Sequence, residues 1–233
     1  MFILTQLLLP IHQIDDENFS NFHGESNLLL LSSVRKNFEH LQQPFFYLWG
    51  EKGSGKTHFL KACSNEFFLK NRRAIYVPLS KSCYFSPAVL ENLEQKELVC
   101  LDDLQCVMGD PEWEVAIFDL FNRIKETQKT LLIMSADQSP HALKVNLPDL
   151  ASRLTWGESY QLANLNEDQK RQVLQENARQ RGIELPDETA NFLLKRMERD
   201  LKTLSETLSL LDKASLQAKR KLTIPFVKEV LNL

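Results

Sequence analysis

Residues 50–57 read Gly-Glu-Lys-Gly-Ser-Gly-Lys-Thr and follow directly on the apolar run Phe45-Phe46-Tyr47-Leu48-Trp49. A strand that stops at a glycine-rich turn of the form G-x-x-x-x-G-K-[ST] and then opens into a helix leaves successive backbone N–H groups pointing into one concavity, which binds phosphate. Gly50 closes the strand, while Gly53 and Gly55 reach backbone angles closed to other residues, with Ser54 between them. Lys56 is placed to meet the outer phosphates as a point charge and Thr57 to ligate Mg2+ through its hydroxyl, and His58 opens the helix predicted over 58–69. The competing reading is an ordinary glycine-rich turn before a helix, which needs neither the strand nor the Lys-Thr pair.

The rest of the chain agrees with a parallel α/β protein. Its 233 residues are 43% hydrophobic and 25% charged, enough for one large or two smaller cores and not the composition of a disordered chain. A net charge of −3 supplies no global basic field, which argues against a protein that coats nucleic acid. The four cysteines, Cys63, Cys83, Cys100 and Cys106, form no C-x-x-C pair, and Cys100 falls in a predicted buried strand, which suits a reduced cytoplasmic interior. The five histidines are scattered and make no metal pattern. The apolar N-terminus, residues 1–11, has no basic flank or cleavage site and is too short to span a bilayer, so no membrane segment is expected.

Strands are predicted at 45–48, 74–77, 98–101, 130–135 and 158–162, with helical patterns between them. The third ends in Leu101-Asp102-Asp103, which delivers two carboxylates to the C-terminal edge of the sheet, where open α/β sheets bind ligands. Asp102 is expected to hold Mg2+ through water and Asp103 to orient or activate an attacking water. Asp-Asp pairs also cap helices, but this one lies about 45 residues after a phosphate loop. The fourth strand runs out into Ser135-Ala136-Asp137, so Asp137 or Ser135 would read the γ-phosphate; a cap or turn before Pro140 explains the same residues. From Asn166 the pattern is helical only, with a capping box at Asn166 and Gln169, a stop at Gly182, and helices at 187–197, 201–219 and 225–231. Trp49, Trp113, Ile117, Phe118 and Phe121 have the spacing of packed faces, and Lys219-Arg220-Lys221 reads as a favourable helix end.

Taken in order, the phosphate loop, the Asp-Asp strand, the polar strand end, Leu147-Pro-Asp-Leu-Ala-Ser-Arg-Leu-Thr-Trp-Gly157 and the helical tail resemble the AAA+ ATPases of the DnaA branch, and within it the Hda group of DnaA regulators, over essentially the whole chain. The resemblance implies a three-layer α/β/α nucleotide-binding domain over 18–163 with a five-stranded parallel sheet, and a small all-α lid over 164–233. Arg153 matches the inter-subunit arginine finger, Arg199 the lid arginine that closes on the chain's own nucleotide, and Asp137 the polar γ-phosphate reader. Phe22, in Phe19-Ser-Asn-Phe22-His-Gly24, matches the segment that flanks the base. Without the family pattern, Arg153 would read as a surface salt bridge.

The same resemblance bears on residues 1–17. Gln6-Leu7-Leu8-Leu9-Pro10 is similar to the short sliding-clamp-binding peptide of this group, in which Gln6, Leu7, Leu9 and Pro10 would enter a preformed pocket on the β subunit of DNA polymerase III; a strand packed on the body is the alternative. The DNA-binding domain of DnaA has no counterpart before Leu233, so DNA would be reached only through the clamp. The function implied is negative control of replication initiation, with bound ADP or ATP and Mg2+, DnaA as target and a homo-oligomer left open. An autonomous ATPase that remodels a replication partner without the clamp is the second reading.

Overall fold

The computed structural model describes residues 18, 19, 22, 27–196, 201–218 and 220–233. Five strands, β1 (Phe45–Trp49), β2 (Ala74–Pro78), β3 (Leu98–Asp102), β4 (Leu131–Ala136) and β5 (Glu158–Gln161), form one parallel sheet in the order β2-β3-β4-β1-β5. Each lies within a residue of its predicted span. The phosphate-loop strand β1 is therefore flanked by β4 and β5, which come later in the chain.

The strands are apolar on both faces, as a sheet covered on both sides requires. Phe46, Leu48, Leu98, Cys100, Leu131 and Ile133 face one layer, made by α1 (Leu28–Glu39) and α2 (Lys56–Leu69). Phe45, Tyr47, Val99, Leu101, Leu132 and Met134 face the other, made by α3 (Pro111–Thr127) and α4 (Pro148–Leu154). The period-2 alternation of β1 thus sorts its residues between two cores. Only β5, at an edge, alternates between partly buried and exposed residues. Its entry is fixed by Gly157: at φ 83°, a Cβ there would stand 2.1 Å from the Phe45 carbonyl oxygen. Between β2 and β3 the chain runs through three short 3-10 turns, Leu79–Tyr84, Pro87–Leu90 and Leu93–Gln95, which the helical and strand periodicities did not foretell.

Helices α5 (Glu167–Gln180), α6 (Asp187–Arg196), α7 (Leu201–Ala218) and α8 (Ile224–Leu231) build a third core from Leu174, Ala178, Leu193, Leu208, Leu211 and Phe226 among others. The capping box forms as predicted, Asn166 accepting from the Gln169 N–H at 2.8 Å while Gln169 accepts from the Asn166 N–H at 3.0 Å. Gly182, at φ 75°, ends α5 with Ile183 N–H on the Ala178 carbonyl and its own N–H on Arg179, both at 2.9 Å. α7 stops at Ala218 and Arg220 closes its end, its N–H on the Ser215 carbonyl at 3.2 Å, while the Arg220 and Lys221 side chains pair with Glu229 and Glu184. Among the described residues no helix is long and apolar enough to cross a membrane.

Candidate functional site

The helix after β1 begins two residues earlier than the sequence reading had it, at Lys56, because Gly55 at φ 93° takes the N-cap position and its carbonyl accepts the Phe59 N–H at 2.9 Å. Gly53 at φ 85° makes the second positive-φ step. Lys56 is buried, and its ammonium donates to the carbonyls of Gly50 at 2.7 Å and Glu51 at 2.9 Å, which uses two of its three N–H bonds and pins it at the mouth of the loop. Burial lowers its pKa, and the charges of the Asp103, Asp102 and Asp137 carboxylates oppose that shift. The Ser54 hydroxyl is buried within the loop without a hydrogen-bond partner. A buried, unpaired hydroxyl in such a loop fits a phosphate oxygen, since leaving it unmade costs about 1–3 kcal/mol. Thr57, beside it, is exposed.

Phe22 lies against the loop: its ring edge would be 3.4 Å from a Cβ on Gly55, and its centroid is 5.8 Å from the His58 ring and 4.9 Å from Phe59. His58 Nε2 is 3.1 Å from the Asn18 carbonyl oxygen. Phe22 and His58 therefore lie together beside Gly55 of the loop.

At the ends of β3 and β4 the carboxylates are wired together. Asp102, 1% exposed, accepts from the Tyr76 hydroxyl at 2.6 Å and from the Ser135 hydroxyl. Ser135 in turn accepts the Asp103 N–H at 3.0 Å, with Asp103 at φ 65°. Gln105 donates to the Asp103 carboxylate at 3.1 Å and accepts the Asp137 N–H at 3.2 Å. Ser135 is fully buried and spent on this network, so of the two γ-phosphate candidates only Asp137, which is exposed, faces outward. Tyr76 and Gln105 were not singled out in the sequence. A tyrosine one strand away and a glutamine two residues past Asp103 were the available signals. Among the described residues no group of three or more His, Cys, Asp or Glu side chains forms a metal centre.

Arg153 occupies the last turn of α4, ahead of β5. It is not in a salt bridge among the described residues, which corrects the bland alternative. Its guanidinium lies 3.8 Å from the centre of the Trp156 ring and 5.6 Å from that of Phe118, with Nε buried and unpaired. Trp156 meets Phe45, the first residue of β1, at 6.3 Å. Arg153 thus belongs to the edge where the strands begin, whereas Gly50, Asp102 and Asp137 lie at the edge where they end. The two are separated by the length of β1, about 16 Å at ~3.3 Å per residue. The start of α4 is held by Glu114, 1% exposed, whose carboxylate accepts the N–H groups of Gly109 at 2.8 Å, Asn146 at 3.0 Å and Leu147 at 2.7 Å. Gln6, Leu7, Leu9, Pro10 and Arg199 lie outside the described residues.

A family model described as the bacterial DnaA ATPase domain matches residues 15–161, and one described as the lid domain of Hda matches residues 167–231. An uncharacterized protein of Haemophilus influenzae is 69% identical over 228 residues, 98% of this chain and 99% of that one. Domain III of the replication initiation protein DnaA from Thermotoga maritima superposes with a TM-score of 0.75 at 20% identity, over 94% of this chain and 96% of its own. AMPPCP-bound DnaA from Aquifex aeolicus gives 0.68 at 23% identity, over 87% of this chain and 67% of its own, and the Thermotoga maritima RuvB Holliday junction branch migration motor gives 0.67 at 14%, over 94% and 72%. At such identities the superpositions speak for the AAA+ fold.

Proposed function

The chain belongs to the bacterial DnaA ATPase-domain family and carries a lid of the Hda type, and from that premise we propose that it is a nucleotide-bound AAA+ regulator of DNA replication initiation that acts on DnaA. The observation that supports this reading most is the separation of Arg153 from the chain's own phosphate loop by the height of the sheet. A guanidinium so placed has no route to its own nucleotide and is available to another subunit's.

When bound, ADP or ATP supplies a run of phosphate anions, and Mg2+ neutralises part of their charge. The backbone N–H groups around Gly53 and Gly55, the Ser54 hydroxyl and the third N–H of Lys56 hold those anions, Phe22 and His58 flank the base, and Arg199 closes the lid in cis. Thr57 and Asp102 hold the cation, Asp103 orients water, and Asp137 reads the terminal phosphate. Arg153 forks onto the ATP of DnaA and stabilises charge developing in its transfer, an effect worth roughly 10³–10⁵ in rate for arginine fingers. Gln6, Leu7, Leu9 and Pro10 tether the chain to the sliding clamp, the β subunit of DNA polymerase III, so that DNA is reached through the clamp and ATP-DnaA is converted to ADP-DnaA. In this reading residues 1–17 are the tether, 18–163 the nucleotide domain and 164–233 the lid.

The test is hydrolysis of labelled ATP preloaded on DnaA, with clamp-loaded DNA and this chain added. Arg153→Ala should keep its own nucleotide affinity and lose the stimulation, and Arg153→Lys should restore little of it, because an ammonium lacks the planar fork. Undiminished stimulation by Arg153→Ala would defeat the mechanism. Hydrolysis of this chain's own ATP at a comparable rate without DnaA would favour the autonomous ATPase.

A further inference from the structure

An arginine that works in trans must keep a defined direction before its target arrives, and none of the usual restraints is present at Arg153. No carboxylate pairs with it among the described residues, and Nε has no hydrogen-bond partner. What fixes it is Trp156, three residues on, whose backbone N–H donates to the Arg153 carbonyl at 2.9 Å and whose ring meets Phe45. A guanidinium lying on an indole spends only its flat face, since the in-plane N–H bonds point away from the ring. The contact therefore holds the cation over the ring face while its terminal N–H groups have no partner among the described residues. A salt bridge at the same place would have consumed those donors. The Lys125 ammonium lies over the same indole at 4.3 Å, so the ring carries two cations, of which only Arg153 is in the chain segment that leads into β5.

We propose that Trp156 is a positioning residue: its ring pre-orients the Arg153 guanidinium toward an anionic phosphoryl group of another subunit. The proposal rests on the reading of Arg153 as acting in trans, and its failure can be told from the failure of that reading. In the DnaA hydrolysis assay, with the full-length chain titrated against fixed DnaA, Trp156→Leu should lower the maximal rate by about tenfold while the half-saturating concentration stays within about twofold, and Trp156→Phe should recover most of the rate by restoring an aromatic face. Lys125→Met should leave the maximal rate unchanged, which assigns the effect to the Arg153 stack. An unchanged maximal rate for Trp156→Leu, or a rise in half-saturation alone, would overturn the positioning role; loss of nothing by Arg153→Ala would instead remove the reading beneath it. Should Trp156→Leu fail to fold, a chain carrying Trp49→Phe and Trp113→Phe isolates the emission of Trp156. Arg153→Gln should then shift that emission, and an identical spectrum would overturn the stack.

Discussion

Glu114→Gln is the sharpest test of how α4 and its arginine are held. One carboxylate oxygen accepts from Gly109 and Asn146, the other from Leu147, the residue that N-caps α4. Glutamine keeps a single acceptor oxygen. In the better of its two orientations that oxygen retains Gly109 and Asn146, and the amide N–H is turned against the Leu147 N–H. One charge-assisted bond is lost, about 1.5–3 kcal/mol. The two survivors now go to a neutral oxygen, roughly half as strong, which adds about 1.5–3 kcal/mol for the pair. Since the side chain is 1% exposed, water does not repair the loss. A total of about 3–6 kcal/mol in a chain of this size corresponds to a melting point lower by roughly 10–20 °C, read by thermal unfolding of the purified protein. A drop below about 3 °C would refute the argument that these three bonds hold the loop. With α4 released at its start, stimulation through Arg153 should fall as well.

Two further outcomes are expected. Lys56→Ala, which removes a cation that feels the charge of Asp102, Asp103 and Asp137, should weaken ADP and ATP binding at least tenfold in calorimetry while leaving the sheet folded by circular dichroism; unchanged affinity would exclude the phosphate loop as the nucleotide site. Gln6→Ala combined with Leu7→Ala should abolish retention on immobilised sliding clamp and leave nucleotide binding intact, and retention of the double variant would place any clamp contact elsewhere.

What the sequence made legible was local. The phosphate loop, the strand ends, the capping box at Asn166 and the Gly182 stop all depend on residues within a few positions of one another, and each appears where its chemistry requires. The strand boundaries moved by single residues for nameable reasons: Thr130 is left out of β4 because its hydroxyl turns to the carbonyls of Glu94 and Lys96, and Leu162, past the end of β5, still donates to Trp49. What could not be read depends on strand order. Ser135 meets Asp102 only because β4 lies beside β3, Tyr76 reaches the same carboxylate only because β2 lies on the other side, and Glu114 gathers the N–H groups of Asn146 and Leu147 from 32 and 33 positions away. The Arg153 stack is the intermediate case. Its partner is only three residues away, yet an Arg-x-x-Trp spacing does not distinguish a stacked cation from one paired with an acid.

The placement of Gly50 and Arg153 at opposite edges of one sheet also restricts how copies can assemble. A contact that lays Arg153 of one molecule on the nucleotide edge of another joins two unlike surfaces, and is therefore heterologous. Such a contact leaves each participant with one edge still unfilled, so identical copies would extend until a ring closed. A partner that offers a nucleotide edge but a different opposite edge ends the series after one step. Asymmetry in the pairing is thus written into the sheet itself, before any property of the partner is considered.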